Sequence, residues 1–217
     1  MIKNVVFDMG GVIVEVHREE AIRQFQSIGV ADADLLIHAN NHKGLFLAFE
    51  DGKIDSETFR QQLSAHAGKE ISMEAVEGAW RSIISKPPQY KLDYILELRK
   101  SFKTYLLTNN NPILIRWART NDFSDAGFPI THYFDKLYIS YEMKCTKPGR
   151  LIFEKMIADS GILPSETLFI EDGILNIQTA KELGFQIFQA VNGEDWRDAL
   201  TETLYAQFHP RFETKLT

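Results

Sequence analysis

A chain of 217 residues with 44% apolar and 25% charged residues has the balance of a soluble globular protein, long enough for one domain or a core plus a smaller insert. A net charge of -6 argues against nucleic acid or an anionic membrane as partner, because both reward basic surfaces, and leaves small anionic substrates open. One cysteine excludes an internal disulfide and fits a reducing, cytoplasmic setting, while neither the opening MIKNVVFDMGGVIVEV nor any later run reads as a signal peptide or a membrane helix.

Val5-Val6-Phe7, ending in Asp8 and followed by Gly10-Gly11, predicts a buried parallel strand and a tight turn. Val12 to Val16 predicts a second short extended piece. From His17 to about Ser85 the apolar spacing is helical. Ala21, Ile22, Phe25 and Ile28 share one face, and Gly29 stops that helix. Leu45, Phe46 and Phe49 mark a second, ended by Asp51-Gly52. Asp55 or Ser56 caps a third that buries Phe59 and Leu63 and ends before Gly68. Ser72 caps a fourth through Val76 and Trp80, and Pro87-Pro88 breaks the chain. Four helices without an intervening strand predict a small bundle inserted after the first strand.

Beyond Pro88 strands and helices alternate. A helix carries Leu92, Ile95, Leu96 and Leu98, and Thr104-Tyr105-Leu106-Leu107 is a strand ending at Thr108. Asn111 caps a helix that opens with Pro112 and runs to about Asn121. Leu137-Tyr138-Ile139 is a strand, and Lys147-Pro148 opens a helix with Leu151, Ile152, Met156 and Ile157 as its apolar face. Thr167 to Ile170 is a strand ending in Glu171-Asp172, and the next helix stops at Gly184. Gln186 to Ala190 is the last strand, a short helix carries Trp196 and Leu200, and a surface tail begins near Phe208. The alternation predicts an α/β fold, a parallel sheet covered on both faces.

Ligands of such sheets bind beyond the carboxyl ends of the strands. Asp8, Thr108 and Glu171-Asp172 all fall there, and converging carboxylates repel unless a cation lies between them. Oxygen ligands suit Mg²⁺. The Thr108 hydroxyl and the Asn109 amide suit phosphate oxygens, and Lys147 brings a positive charge. A carboxylate nucleophile, a metal, a hydroxyl and a lysine make a phosphoryl-transfer site.

Singly, each feature has an ordinary structural explanation. A strand-end aspartate is often a turn residue or helix cap, Glu171 could be a solvated partner of a lysine as readily as a support for the site, and most lysines lie at the surface. Cys145, Trp80, Phe46 and Phe49 read as packing residues, and His38, His42 and His66 read as surface.

Phe7-Asp8-Met9-Gly10-Gly11-Val12, Leu106-Leu107-Thr108-Asn109, Lys147-Pro148 after Ser140-Tyr141-Glu142-Met143-Lys144-Cys145-Thr146, and Phe169-Ile170-Glu171-Asp172-Gly173 with Asn176 and Ala180 occur in this order over nearly the whole chain. In this the sequence resembles the haloacid dehalogenase (HAD) superfamily, in the branch with a helical cap after the first motif. The resemblance implies a Rossmann-like core in residues 1–15 and 88–217 and an inserted helical-bundle cap in residues 16–87. It implies a hydrolase acting on a small phosphorylated metabolite, as monomer or homodimer, through an aspartyl phosphate on Asp8. Thr108 and Lys147 would assist catalysis. Thr108, Asn109 and Lys147 would bind the phosphate. Asp8, the Gly10 carbonyl and Asp172 would hold Mg²⁺, with Glu171 and Asn176 supporting them from behind.

The sequence departs from the family at Gly10, where most of its phosphatases carry a second aspartate as general acid and base. Losing such a group typically costs about 10²–10⁴ in rate. Three readings follow: a substrate with a good leaving group, such as a sugar 1-phosphate or an acyl phosphate; another acid near the cap hinge, Glu15 or His17; or a phosphate-ligand-binding protein of poor turnover. A hydrolytic 2-haloacid dehalogenase uses the same nucleophile without metal, and the acidic pair Glu171-Asp172 counts against it.

Overall fold

The computed structural model describes residues 1–37 and 44–208. Five strands, β1 (Asn4–Phe7), β2 (Lys103–Thr108), β3 (Lys136–Ile139), β4 (Thr167–Glu171) and β5 (Gln186–Gln189), form one parallel sheet in the order β3-β2-β1-β4-β5. The short apolar runs become its centre because a parallel strand is buried on both faces. Along β1, Val5 and Phe7 point into one layer and Val6 into the other. The chain moves outward from β1 to β2 and β3, then returns to β4 on the other side of β1. This reversal opens a crevice at the carboxyl ends of the three central strands.

Between β1 and β2 lie the helices α1 (Arg18–Ser27), α2 (Ala33–Leu36), α3 (Gly44–Glu50), α4 (Ser56–Ala67) and α5 (Met73–Arg81). The sequence reading lacks the single turn α2, which buries only Ala33. Asp55 and Ser72 cap α4 and α5, accepting from the Thr58 and Ala75 amides, and Gly68 ends α4 in the left-handed conformation. The insert has an aromatic centre. Phe46 meets Phe25, Phe59 and Trp80 with ring centroids 4.9, 5.3 and 5.4 Å apart. Phe49 stacks on Phe59 at 4.4 Å. The α/β class with a Rossmann-like sheet and an inserted helical cap is the architecture of this chain.

The segment from Val12 to Val16 makes isolated bridges, Gly10 with Val14 and Val16 with Ile84, in place of a regular strand. The two chain segments joining insert and core therefore run side by side, with His17 N–H on the Ile83 carbonyl at 2.6 Å and Ser85 N–H on the Glu15 carbonyl at 3.1 Å. The Asn192 side chain, from the loop after β5, pairs with both main-chain groups of Val16 at 2.9 and 3.0 Å.

The remaining helices are α6 (Gln89–Leu98), α7 (Pro112–Ala118), α8 (Ser140–Met143), α9 (Arg150–Ser160), α10 (Ile174–Glu182) and α11 (Arg197–Phe208). α7 is shorter than its sequence suggests, because Thr120 caps a separate 3₁₀ turn over Asn121–Phe123. In α9, Phe153 faces inward with Ile152 and Met156, while Leu151 is exposed. The expected tail and two of the surface histidines, His38 and His42, lie outside the described residues.

Phe46 touches three other rings, so Phe46→Ala leaves a cavity that its neighbours cannot fill together. The expected cost is about 3–5 kcal/mol in urea unfolding. A cost below about 1 kcal/mol would show that the insert repacks freely.

Candidate active site

Three strands deliver the polar groups of the crevice. Asp8 follows β1 directly, and its N–H extends the ladder to the Ile170 carbonyl at 2.9 Å. Glu171 is the last residue of β4, and Asp172 leaves the sheet beside it. Lys147 reaches in from the loop before α9. Its ammonium lies 3.0 Å from Asp8 Oδ2 and 2.7 Å from Glu171 Oε2, and donates to the Leu107 carbonyl at 3.0 Å. Three acceptors match the three protons of an ammonium. Lys147 is 1% exposed, so it is no surface lysine. Glu171 is wholly buried, and its other oxygen accepts from Gly173 N–H at 2.9 Å, which overturns the solvated reading. Asn176 also donates to it.

The loop that carries Lys147 is set by Asn109. Its carboxamide donates to the Lys147 carbonyl and accepts from the Lys147 N–H, both at 2.8 Å. That amide is therefore engaged with main chain, while Asn109 also lines the cavity above Asp8. The Thr108 hydroxyl is buried, donates to the Asn109 carbonyl at 3.3 Å and does not line the cavity above Asp8. The Lys147-Pro148 peptide is cis and sits in a turn; Gly149 is the cap, and α9 begins only at Arg150. The helix expected to open at Pro148 forms two residues later, with Thr179 Oγ1 holding the Pro148 carbonyl at 2.9 Å and Asn109 holding Lys147.

Asp8, Glu171 and Asp172 bring carboxylate oxygens within 4.8 Å of one another. Against these three negative charges stands the single ammonium of Lys147, a formal excess of two. Burial and the neighbouring Glu171 push the Asp8 carboxyl up to about 8, against the pull of Lys147. Burial and Glu171 raise Asp172 to about 6. Burial would raise Glu171 as well, but Lys147 at the shorter distance outweighs it and holds Glu171 below the usual range. Lys147 is raised, since the two carboxylates outweigh its burial. An all-oxygen cluster with surplus negative charge fits a hard divalent cation. Gly11 makes room for the Asp172 carboxylate. At φ +73° with Asp172 against it, any side chain there would start 2.0 Å from Asp172 Oδ2.

The cavity over this cluster holds about 480 Å³. Its floor is Asp8, Asp172 and Lys147. Arg18, Glu50 and Trp80 of the insert form much of the roof, so Trp80 serves both packing and the cavity wall. Glu15 and His17, the sequence candidates for a substitute acid, do not line it. Val14 and Val16 face the cavity, and the intervening Glu15 faces outward, half-exposed, with His17 Nδ1 4.0 Å from it. Sequence reasoning missed Glu50, Asn110 and Ser140. Ser140 Oγ accepts from Asn110 N–H at 2.9 Å and donates to the Glu50 carbonyl at 2.8 Å, tying the insert to the loop after β2.

A family model described as haloacid dehalogenase-like hydrolase matches residues 2–184. A D-ribitol-5-phosphate phosphatase from Bacteroides thetaiotaomicron is 48% identical over 204 residues, 94% of this chain and 99% of its own. The solved structure of a predicted HAD-like family hydrolase from Porphyromonas gingivalis is 43% identical, with a TM-score of 0.91 over 94% of this chain and 98% of its own. A HAD family enzyme from Bacteroides thetaiotaomicron, solved in complex with magnesium and inorganic phosphate, is 37% identical, with a TM-score of 0.83 over 92% of this chain and 99% of its own.

The raised carboxyls give the cluster a pH signature. In the unfolded chain Asp8 and Asp172 ionise near 3.8; in the folded chain they do so near 8 and 6. A raised carboxyl stabilises the folded state only at low pH, and that stability is lost as pH climbs through the folded values. A cation that binds the ionised folded cluster offsets the loss. The rise in Tm produced by Mg²⁺ should therefore grow from pH 5 to pH 8 and disappear in Asp172→Asn. A rise that is flat with pH, or that persists in that variant, contradicts the assignment.

Proposed function

The chain belongs to the haloacid dehalogenase-like hydrolases, and from that membership we propose that its substrate is the phosphate monoester of a small polyol, with a primary alcohol as leaving group. It is an Mg²⁺-dependent phosphoric monoester hydrolase that works through an aspartyl phosphate. The relative at 48% identity is a phosphatase of D-ribitol 5-phosphate, the ester of a primary alcohol. This favours a polyol phosphate over the sugar 1-phosphate or acyl phosphate expected from Gly10. The cavity of about 480 Å³ has room for a five-carbon chain above the phosphate.

The observation that carries the residue assignment is the placement of Asp8 between a buried ammonium and an open cavity with surplus negative charge at its floor. Asp8 is the nucleophile. One of its oxygens accepts from the Met9 N–H at 2.7 Å and the other faces Lys147, so the carboxylate is fixed before substrate arrives. Lys147 neutralises Asp8 and the incoming phosphoryl group, and Glu171 and Leu107 keep it from turning away. Asp8, the Gly10 carbonyl and Asp172 would hold Mg²⁺, and the bound ion would supply positive charge against the phosphoryl oxygens. Thr108 places the loop after β2, and Asn109 acts on the phosphate through Lys147. Glu171 and Asn176 act on the ion pair from behind.

Residues 16–87 are the cap, closing over the phosphate and excluding water. The single cysteine, Cys145, is consistent with work in the cytoplasm. No helix among the described residues is long and apolar enough to cross a membrane.

Asp8→Asn keeps the shape of the side chain and leaves Lys147 paired with Glu171. The variant is expected to fold as the parent does and to show no turnover of D-ribitol 5-phosphate with Mg²⁺. Turnover near the parent rate would remove Asp8 from the nucleophile role.

A further inference from the structure

The insert touches the core at both edges of the sheet. At the β5 edge Asn192 holds the connecting segment at Val16. At the β3 edge the turn after α3 lies on α8, the single helical turn that follows β3 directly. There the wholly buried Ser140 Oγ donates to the Glu50 carbonyl at 2.8 Å, and Lys144 Nζ donates to the Gly52 carbonyl at 2.6 Å. Gly52, at φ +63°, is pressed so closely onto α8 that a Cβ on it would lie 2.1 Å from the Tyr141 carbonyl oxygen. Both donors come from one core element and both acceptors from one turn of the insert.

Two features set this contact apart from passive packing. Lys144 ends α8 at φ +58°, and among the described residues it alone of the non-glycines has a positive φ. Glycine is the favoured residue at a left-handed helix end, and a lysine there costs conformational energy. What the lysine adds is the ammonium on the Gly52 carbonyl. The second feature is the Ser140 hydroxyl, which has one proton and two carbonyls in reach, Glu50 of the insert at 2.8 Å and Asn110 of the core at 3.1 Å. Its oxygen accepts from Asn110 N–H at 2.9 Å with either partner. If the turn lifts from α8, the proton can pass to the Asn110 carbonyl while water takes up the Glu50 carbonyl and the Lys144 ammonium. No buried polar group is then stranded, which is the main cost of parting a buried polar contact.

The core side of the contact leads straight into the site. Lys147 follows Lys144 by three residues, and Asn110 adjoins Asn109, which holds both main-chain groups of Lys147. The turn of the insert therefore sits on the two segments that place the ammonium beside Asp8.

We infer that Ser140 and Lys144 are positioning residues that latch the cap shut at the β3 edge, by holding the Glu50 and Gly52 carbonyls. This rests on the phosphatase and cap readings above. Neither side chain touches substrate; each acts by raising the fraction of free enzyme whose cap is closed. A ligand that needs the closed state binds more weakly in proportion as that fraction falls. Weakening the latch therefore raises KM, and kcat stays near the parent value once bound substrate holds the cap.

Lys144→Gly separates this role from stability, because it removes the ammonium and supplies the residue that prefers φ +58°. KM for D-ribitol 5-phosphate with Mg²⁺ should rise about three- to tenfold and kcat should change by less than about twofold, while Tm does not fall. Lys144→Arg, which keeps a cation in reach of the Gly52 carbonyl, should restore most of the parent KM. Ser140→Ala should raise KM in the same direction. In the free enzyme the backbone amides of residues 48–53 should exchange with deuterium faster in Lys144→Gly than in the parent, with those of β1 and β4 unchanged. A fall in Tm with KM unchanged would make the contact packing alone and overturn the latch. So would a KM defect that Lys144→Arg leaves in place, or unchanged exchange at residues 48–53. A parent enzyme that hydrolyses no D-ribitol 5-phosphate with Mg²⁺ would overturn the phosphatase reading instead, and the exchange comparison then decides the latch by itself.

Discussion

The Lys147 ammonium is buried at the carboxyl edge of the sheet with all three of its protons placed, on Asp8, Glu171 and the Leu107 carbonyl. An ion in that position is costly to desolvate, and it is stable there only because opposite charges and a carbonyl replace water completely. Each partner comes from a different central strand or its end. The strand order β2-β1-β4 is thus what the ion requires, and the ion in turn fixes how those three strands can end. Removing Lys147 would leave Asp8 and Glu171 buried against each other with no compensating charge, the arrangement that destabilises buried ion pairs most.

The same ion explains why the edge is reactive. Lys147 satisfies Glu171 more closely than Asp8, and among the described residues no ammonium pairs with Asp172. The negative charge left over is concentrated on the two carboxylates that face the cavity. A cation and a phosphoryl group are attracted there together, the cation by the carboxylates and the phosphoryl group by the cation and Lys147. The floor of the site is therefore an electrostatic device built on the sheet. The cap adds shape, largely through its packed aromatic centre and the connecting segment at Val16 that Asn192 holds.

Much of this was legible in the sequence because strand ends are. Val5-Val6-Phe7 and Leu168-Phe169-Ile170 are buried on both faces, so the acidic residue after each run had to be the point where the sheet meets a ligand. Asp55, Ser72 and Asn111 were readable as caps for the same local reason. What was not legible depended on segments far apart in the chain. That Asn109 also positions the main chain of Lys147, 38 residues away, depends on the fold. Phe153 replaces Leu151 in the core because helix α9 is oriented by the turn before it, which the sequence pattern does not encode. Glu50 is hidden inside the apolar pattern of Leu45, Phe46 and Phe49, which identifies a helix face and says nothing of what its end meets. Gly10 was visible as a missing acid, but only the structure shows Val16 Cγ2 3.1 Å from where a side chain at that position would begin.

Direct detection of the covalent intermediate probes the central claim at its root. Enzyme mixed with D-ribitol 5-phosphate and Mg²⁺, quenched in acid within milliseconds and reduced with borohydride, converts an acyl phosphate to an alcohol that peptide mass spectrometry can locate. The account predicts that alcohol at position 8 and at no other carboxylate. Its appearance at Glu50, Glu171 or Asp172, or its absence at every carboxylate while turnover proceeds, would contradict it.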